Sequence, residues 1–288
     1  MQALFEVASG SIAGKNHRSI GKNNQDAYFS VCSEKATIAV VCDGCGSGKH
    51  SEVGAKIGAR LVVKTIAKQI RSEIDSQDGL ASEFWERLKL DLLAEMQQVL
   101  QMLGGSDGGD LDALQQIVND YLLFTIVGVL ITPTEAIAFS IGDGLTIMNG
   151  KIRQIGPFPD NAPPYLAYGL YRPDLIHFHI HDRIHTDAVE SVLIGTDGAV
   201  DLISVAGMNL PGKQETVGQI SQFWQADRYF SNPEAIHRRL SLINREVTRL
   251  DWQTQRLAKD RGLLPDDTTL VVVRRKAEDR KSKMEFNS

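Results

Sequence analysis

Three aspartates stand at the ends of short Val- and Ile-rich runs. Asp43 closes Val40-Val41-Cys42, Asp197 follows Leu193-Ile194-Gly195-Thr196, and Asp266 precedes Asp267-Thr268-Thr269-Leu270-Val271-Val272-Val273. Such runs read as buried strands, so each carboxylate lies where a strand meets a loop. Asp43 and Asp197 are followed by Gly, which lets the backbone turn and lets a ligand approach its carbonyl. Gathered carboxylates repel one another unless a cation sits among them, and an oxygen-only donor set suits Mg²⁺ or Mn²⁺. A lone Asp-Gly is usually only a turn. Three strand-end sites, with Asn24-Gln25-Asp26-Ala27 and Ile141-Gly142-Asp143-Gly144 in addition, are hard to account for as turns. The chemistry they fit is metal activation of water for attack on phosphorus.

The elements that must hold these groups follow from periodicity. Strands are expected at 3–12, 27–32, 38–42, 122–131, 135–141, 145–149, 151–155, 175–181, 189–196 and 268–275. Asn149-Gly150 is a hairpin turn signal. A helix from Ser51 places Val53, Ile57, Leu61, Ile66 and Ile70 at helical spacing. A second starts at Ser82, an N-cap residue type, with Trp85, Leu88, Leu92, Met96, Val99 and Leu103 as its stripe. A shorter helix is expected at 111–121, and two more at 214–226 and 233–258. Residues 104–109 read as a loop. Residues 156–174 carry five prolines and suit an ordered, irregular flap. Strand blocks alternate with helical pairs, which predicts an α+β arrangement of layers over a shared core. The charged stretch 276–288 is expected to be a disordered tail.

Composition bounds the partners. The chain has 288 residues, 42% hydrophobic and 23% charged, with a net charge of −5. That balance argues against nucleic acid as a partner, and no apolar run approaches the ~18 residues of a membrane span. Three cysteines are too few for a disulfide scaffold, and a cytoplasmic, monomeric protein is expected. Two rival sites weaken on inspection. The loop Asp43-Gly-Cys-Gly-Ser-Gly-Lys-His resembles a phosphate-binding P-loop, but Asp43 replaces the first glycine and His50 the Ser or Thr after Lys49. His177, His179 and His181 alternate along an expected strand with His185 nearby. Same-face neighbours ~7 Å apart suit one zinc ion poorly. Cys42 and Cys45 lack a second pair for zinc. Cys42 reads as core, and the carboxylates beside Cys45 are expected to keep its thiol protonated.

The ordered set Asn24-Gln25-Asp26-Ala27, Asp43-Gly-Cys-Gly-Ser-Gly-Lys-His-Ser-Glu-Val-Gly-Ala, Ile141-Gly-Asp-Gly, Gly195-Thr-Asp-Gly-Ala-Val-Asp201 and Asp266-Asp-Thr-Thr-Leu-Val-Val-Val resembles the metal-dependent type 2C serine/threonine protein phosphatases, in their bacterial branch. The likeness spans about residues 8–275 and implies one domain over 1–275. It implies a four-layer α-β-β-α sandwich of two mainly antiparallel sheets flanked by helical pairs, with metals in the channel between the sheets. It also implies two Mn²⁺ or Mg²⁺ ions, with a third held more weakly. Asp43 would bridge two ions, the Gly44 carbonyl would ligate one, and Asp197 and Asp266 would be direct ligands. Asp26 would hold metal-bound water, and Asp143 and Asp201 would bind the third ion. The implied substrate is a protein phosphorylated on Ser or Thr.

Three departures from the family pattern matter. Gln25 stands where many members have Glu. Cys45 stands where animal members have a His that protonates the leaving group. No Arg directly precedes the Asn-Gln-Asp run, which leaves Arg18 as the candidate for binding substrate phosphate. Gln25 and Cys45 motivate an alternative: a catalytically weak relative that binds a phosphoprotein in a regulatory role.

Overall fold

The computed structural model describes residues 1–73, 80–104, 111–252 and 255–276. One five-stranded antiparallel sheet has the order β2 (Asp26–Cys32), β3 (Thr37–Asp43), β4 (Ile126–Ile131), β5 (Glu135–Ile141), β8 (His179–His185). The other has the order β1 (Phe5–Ile12), β12 (Thr268–Arg275), β9 (Ser191–Gly195), β6 (Gly144–Met148), β7 (Lys151–Ile155). The sheets face each other across Val41, Val127, Val129, Ile194, Val271 and Val273. Strands buried on both sides must be apolar on both sides, which is why β4 reads Ile-Val-Gly-Val-Leu-Ile and is buried throughout. Among the described residues no helix is long and apolar enough to cross a membrane.

Helices cover both outer faces. α1 (Lys15–Ser19) is a single turn leading into the first sheet. α2 (Ser51–Glu73), α3 (Ser82–Gly104) and α4 (Leu111–Ile117), continued by a π-helical turn over Val118–Leu122, cover the β2–β8 sheet. The opposite sheet is covered by α5 (Gly198–Ser204), α6 (Gln222–Gln225), α7 (Arg228–Ser231) and α8 (Ala235–Ile243). This is the expected four-layer α+β sandwich.

The face that α2 buries is the expected one at Ile66 and Ile70 and departs from it in the first turns. Ala55, Ala59, Val62, Val63, Ile66 and Ile70 are buried, whereas Val53 is 38% exposed. The small side chains let the helix lie close to the sheet, so size rather than hydrophobicity selected the face. On α3, Trp85, Leu88, Leu92 and Met96 are buried as expected, with Phe84 and Leu100, while Leu103 is exposed. The Asn149-Gly150 turn has both residues at positive φ, 51° and 80°, as a two-residue hairpin requires.

Two regions depart further from expectation. The strand expected at 175–181 runs from His179 to His185 instead, because Pro173–Leu175 forms a 3₁₀ turn and Phe178 inserts against Trp85 and Phe139. The helices expected at 214–226 and 233–258 are short segments. Gly218, at φ 82°, interrupts the first. The second stops at Asn244. That buried side chain donates to the Ala13 carbonyl and accepts from the Leu264 amide, so it ties the helix end to two distant loops. Beyond it, residues expected to be helical form a two-stranded arm, β10 (Val247–Asp251) paired with β11 (Arg256–Asp260). The stretch 156–174 is irregular as expected, with 3₁₀ turns at Pro159–Asn161 and Leu166–Leu170. Of the expected loop at 104–109, residues 105–109 lie outside the described residues, as does the tail beyond Lys276.

Candidate metal centre

Antiparallel pairing gathers the aspartates at one end of the sandwich. Asp26 opens β2 directly opposite Asp43, which closes β3. Asp143 lies where the chain leaves β5 in one sheet and enters β6 in the other, between Gly142 and Gly144 at φ 95° and 145°. β9 ends at Gly195 opposite Leu270 near the start of β12, so Asp197 and Asp266 meet across that turn. A Cβ on Gly198 would run into the Asp267 carbonyl oxygen, so this junction closes only with glycine after Asp197.

Asp143, Asp197, Asp201 and Asp266 line a cleft of about 270 Å³, together with Gly198, Val200 and Pro265. Asp43 and Asp26 are buried beside this cleft on its inner side, and the carboxyls around them act on both. Burial, followed by Asp26, Asp197, Asp266 and Asp143, pushes Asp43 well above the usual carboxylate range. Burial, then Asp267 and Asp197, does the same to Asp26, against hydrogen bonds from Thr196 and Thr269. Asp197 is pushed up to about 6, by burial first and then by Asp266 and Asp143, and its carboxyl shares a hydrogen bond with Asp43. Asp143 is raised by burial, and Asp201 by burial and then Asp266. Such mutual elevation means that the cluster resists full ionisation without a compensating cation.

Asp26 is held on one side only. Thr196 Oγ1 donates to its Oδ2 at 2.7 Å, while its Oδ1 is buried with no protein partner. Asp267 differs. Its Oδ1 accepts from the Gly14 amide at 2.7 Å and its Oδ2 from the Gln25 amide at 2.6 Å, with His17 Nδ1 2.9 Å away. Donor atoms of His17, Asp266 and Asp267 lie within 4.8 Å of one another. Asp267, 2% exposed and saturated by amides, clamps the loops carrying Gly14 and Gln25. Asp266 is exposed to the cleft. An all-oxygen donor set, a partnerless buried oxygen and carboxyls held above their ordinary range fit a hard divalent cation.

The Gly-rich loop sits over this centre. Gly44 donates to the Gln25 carbonyl at 3.1 Å, and a Cβ there would meet the Ser51 and Gln25 carbonyl oxygens at 2.7 and 2.9 Å. Gln25 Nε2 donates to Ser51 Oγ at the start of α2. Cys42 is buried in the core as expected. On balance the Cys45 thiol is not pushed upward as expected. Burial pushes its thiol up, but hydrogen bonds involving Ser47, Tyr165 and the loop backbone outweigh it and hold the thiol below its ordinary value. Tyr165, which the sequence does not single out, comes from the flap to reach Cys45.

The structure does not bring Arg18 to the carboxylates. Its guanidinium donates to the Asn244 carbonyl and lines a separate cleft with Lys15 and Lys259. The cation that reaches the Gly-rich loop is Lys22, whose Nζ donates to the Gly46 carbonyl at 2.6 Å. The histidines do not form a common site either. His177 precedes β8 and lies 3.2 Å from Glu86, while His181, at a bulge, hydrogen-bonds Ser140 at 2.8 Å.

The model of the protein phosphatase 2C family matches residues 13–240. Among solved structures, the chain is similar to a bacterial serine phosphatase, with a TM-score of 0.53 and 13% identity over 94% of this chain and 98% of that one. It is also similar to the serine/threonine phosphatase Stp1 from Staphylococcus aureus, with a TM-score of 0.52 and 12% identity over 95% of this chain and 96% of that one. At such identity the structural likeness speaks for the fold alone. No curated protein matches in sequence. The family match covers most of the chain and contains Asp26, Asp43, Asp143, Asp197 and Asp201, and on it the chain belongs to the protein phosphatase 2C family.

Proposed function

We propose that the protein is a Mn²⁺- or Mg²⁺-dependent phosphatase acting on phosphoserine and phosphothreonine in proteins. The observation that carries this reading is the gathering of Asp26, Asp43, Asp143, Asp197 and Asp266 at one end of the sandwich, with carboxyls that raise one another's pKa. Asp43, Asp197, Asp266 and the Gly44 carbonyl would hold two ions, and Asp143 and Asp201 a third. Bound there, divalent cations supply a water of lowered pKa and neutralise phosphoryl oxygens. The chain's own groups do the rest. Asp26, oriented by Thr196 on one oxygen, offers the other to water in the channel. Lys22, at the lip of the Gly-rich loop, is placed to attract the phosphate. No histidine occupies the Cys45 position, and burial followed by Cys45 pushes the nearby Tyr165 phenol far above its ordinary range, so leaving-group protonation falls to water.

Hydrolysis of a phosphothreonine peptide and of an aryl phosphate by purified protein, with Mn²⁺, with Mg²⁺ and after chelation, tests the reading. Turnover that needs the metal is expected, and full activity after exhaustive chelation would end it. Gln25 and Cys45, where relatives carry Glu and His, favour a second reading, a phosphoprotein-binding module with little turnover. Tight phosphopeptide binding without metal-stimulated hydrolysis is its signature.

A further inference from the structure

The β10–β11 arm belongs to neither main sheet, and two clefts meet at its base. The first, about 590 Å³, runs between α1 and the arm and is lined by Lys15, Arg18, Lys259 and Arg261 against Glu246. The second, about 690 Å³, shares Lys259 and Arg261 and adds Lys213 and Arg249 against Asp260. Both acids are already engaged: Glu246 lies 2.7 Å from Lys259 and Asp260 lies 3.4 Å from Arg249. Among the described residues, Lys15 and Arg261 have no carboxylate within ion-pairing distance. A net cationic groove on a chain of net charge −5 is a local feature, and its charge awaits a partner.

The groove and the carboxylate cleft are separate but border the same chain segment, residues 262–266. The amides of Lys15 and Asn16 donate to the Leu264 and Pro265 carbonyls at 2.9 and 3.1 Å. Gly262 floors the basic groove, and Pro265 with Asp266 floors the carboxylate cleft, so one short segment forms both floors. The Lys15 charge also acts on Asp201. A polypeptide with its phosphorylated residue at Asp266 would run over residues 262–265 onto Lys15 and Arg261. The arm is available to it, since Trp252 and Leu257 near its tip are 82% and 72% exposed.

We propose that this groove receives an acidic segment flanking the phosphorylated residue of the protein substrate, so that Asp- or Glu-rich sites are dephosphorylated preferentially. The inference rests on the phosphatase reading above. The short segment 262–266 bordering both clefts favours a substrate segment over a nucleic acid or a membrane, which would need no path to Asp266.

The test compares phosphothreonine peptides with acidic residues on the N-terminal side, on the C-terminal side or on neither, alongside an aryl phosphate. Each is run with saturating Mn²⁺ on the wild type and on Lys259→Glu/Arg261→Glu. One acidic peptide is expected to exceed the neutral one about three- to tenfold in kcat/KM, mostly through KM, the size expected of two exposed charge pairs. The preference should shrink as salt is raised and vanish in the variant, with aryl phosphate turnover unchanged. A variant that loses its fold by circular dichroism is replaced by Lys259→Gln/Arg261→Gln, which should halve the preference or more. Robust aryl turnover with no acidic preference, or a preference that survives in the variant, overturns the docking proposal alone. Loss of anionic-vesicle or DNA binding in the variant with peptide preference intact also overturns it. Absence of aryl turnover overturns the phosphatase reading and the docking proposal with it.

Discussion

Asp266 and Asp267 are neighbours in the chain and opposites in environment, and the contrast extends to the two walls of the metal centre. On the inner side, buried Asp267 accepts the Gly14 and Gln25 amides, while buried Asp26 accepts from Thr196 on one oxygen and has no protein partner on the other. On the outer wall, Asp143, Asp197, Asp201 and Asp266 line the cleft. Asp267 holds loops together; the carboxylates lining the cleft are placed to hold something else. A carboxylate that accepts two backbone amides stabilises the fold, whereas one surrounded by other carboxylates destabilises it until a cation arrives. Asp43 joins the two, opposite Asp26 in the sheet and facing Asp197 in the cleft.

The largest expected effect falls on the proposed ligands. Asp43→Asn, Asp197→Asn and Asp266→Asn should each reduce metal-dependent hydrolysis well beyond the ~10–100-fold typical of outer-shell partners. The metal-free melting temperature should hold or rise as repulsion is relieved. Kinetics and thermal melts on the same preparations check this, and an active Asp266→Asn would break the contrast.

Asp267→Asn should do the reverse. It removes the charge that accepts the Gly14 and Gln25 amides and is expected to cost about 2–3 kcal/mol in denaturant unfolding. Turnover of the folded fraction at saturating Mn²⁺ should be retained. If Asp267→Asn is inactive yet stable, the two aspartates have exchanged roles.

The pH dependence of the metal-free protein sharpens the comparison. Asp197, Asp43 and Asp26 have raised folded-state values, so the native state holds protons that the unfolded chain has released. Stability is therefore greatest below the unfolded value near 4 and falls as pH rises through 6 and above. The Asp197 contribution alone is about 2 kcal/mol after allowance for its partial exposure. Melting temperature in chelator should drop between pH 4.5 and 7.5, and the gain on adding Mn²⁺ should be larger at pH 7.5. A flat profile would mean that the carboxyls do not interact as described.

The smallest effect is expected at the rim. Asp143→Ala and Asp201→Ala should each lower turnover about tenfold at limiting metal while calorimetry still counts two ions. Loss of all metal binding in Asp201→Ala would move that residue among the primary ligands.

Reading the sequence was most effective where local chemistry and long-range structure agree. Val-rich runs ending in Asp-Gly are strands ending in sharp turns whatever surrounds them, so the strand-end placement of Asp43, Asp197 and the Asp266-Asp267 pair was legible. It was least effective in the layer over the β1–β7 sheet, where residues 244–260 carry a helix-compatible pattern. There Asn244, through bonds to Ala13 and Leu264, ends the helix for reasons that lie 231 and 20 residues away. The buried face of α2 was misread in its first turns for a related reason, since close approach to a sheet rewards Ala55 and Ala59 over Val53. Thr196 and Tyr165 carry no local signal at all: an ordinary strand-end threonine and a flap tyrosine gain roles only from what they reach.

The sequence alone determined the donor chemistry, the two periodicities and therefore the alternation of strand blocks with helices, because these depend on residue type and on spacings of two and 3.6 residues. Tertiary structure decided which carboxylates face a cleft and which are spent on backbone amides, where Arg18 and Lys22 point, and that the chain after Asn244 forms a cationic arm beside the metal centre. Each of those depends on bonds between residues far apart in the chain, and no local pattern encodes which distant amide a carboxylate will meet.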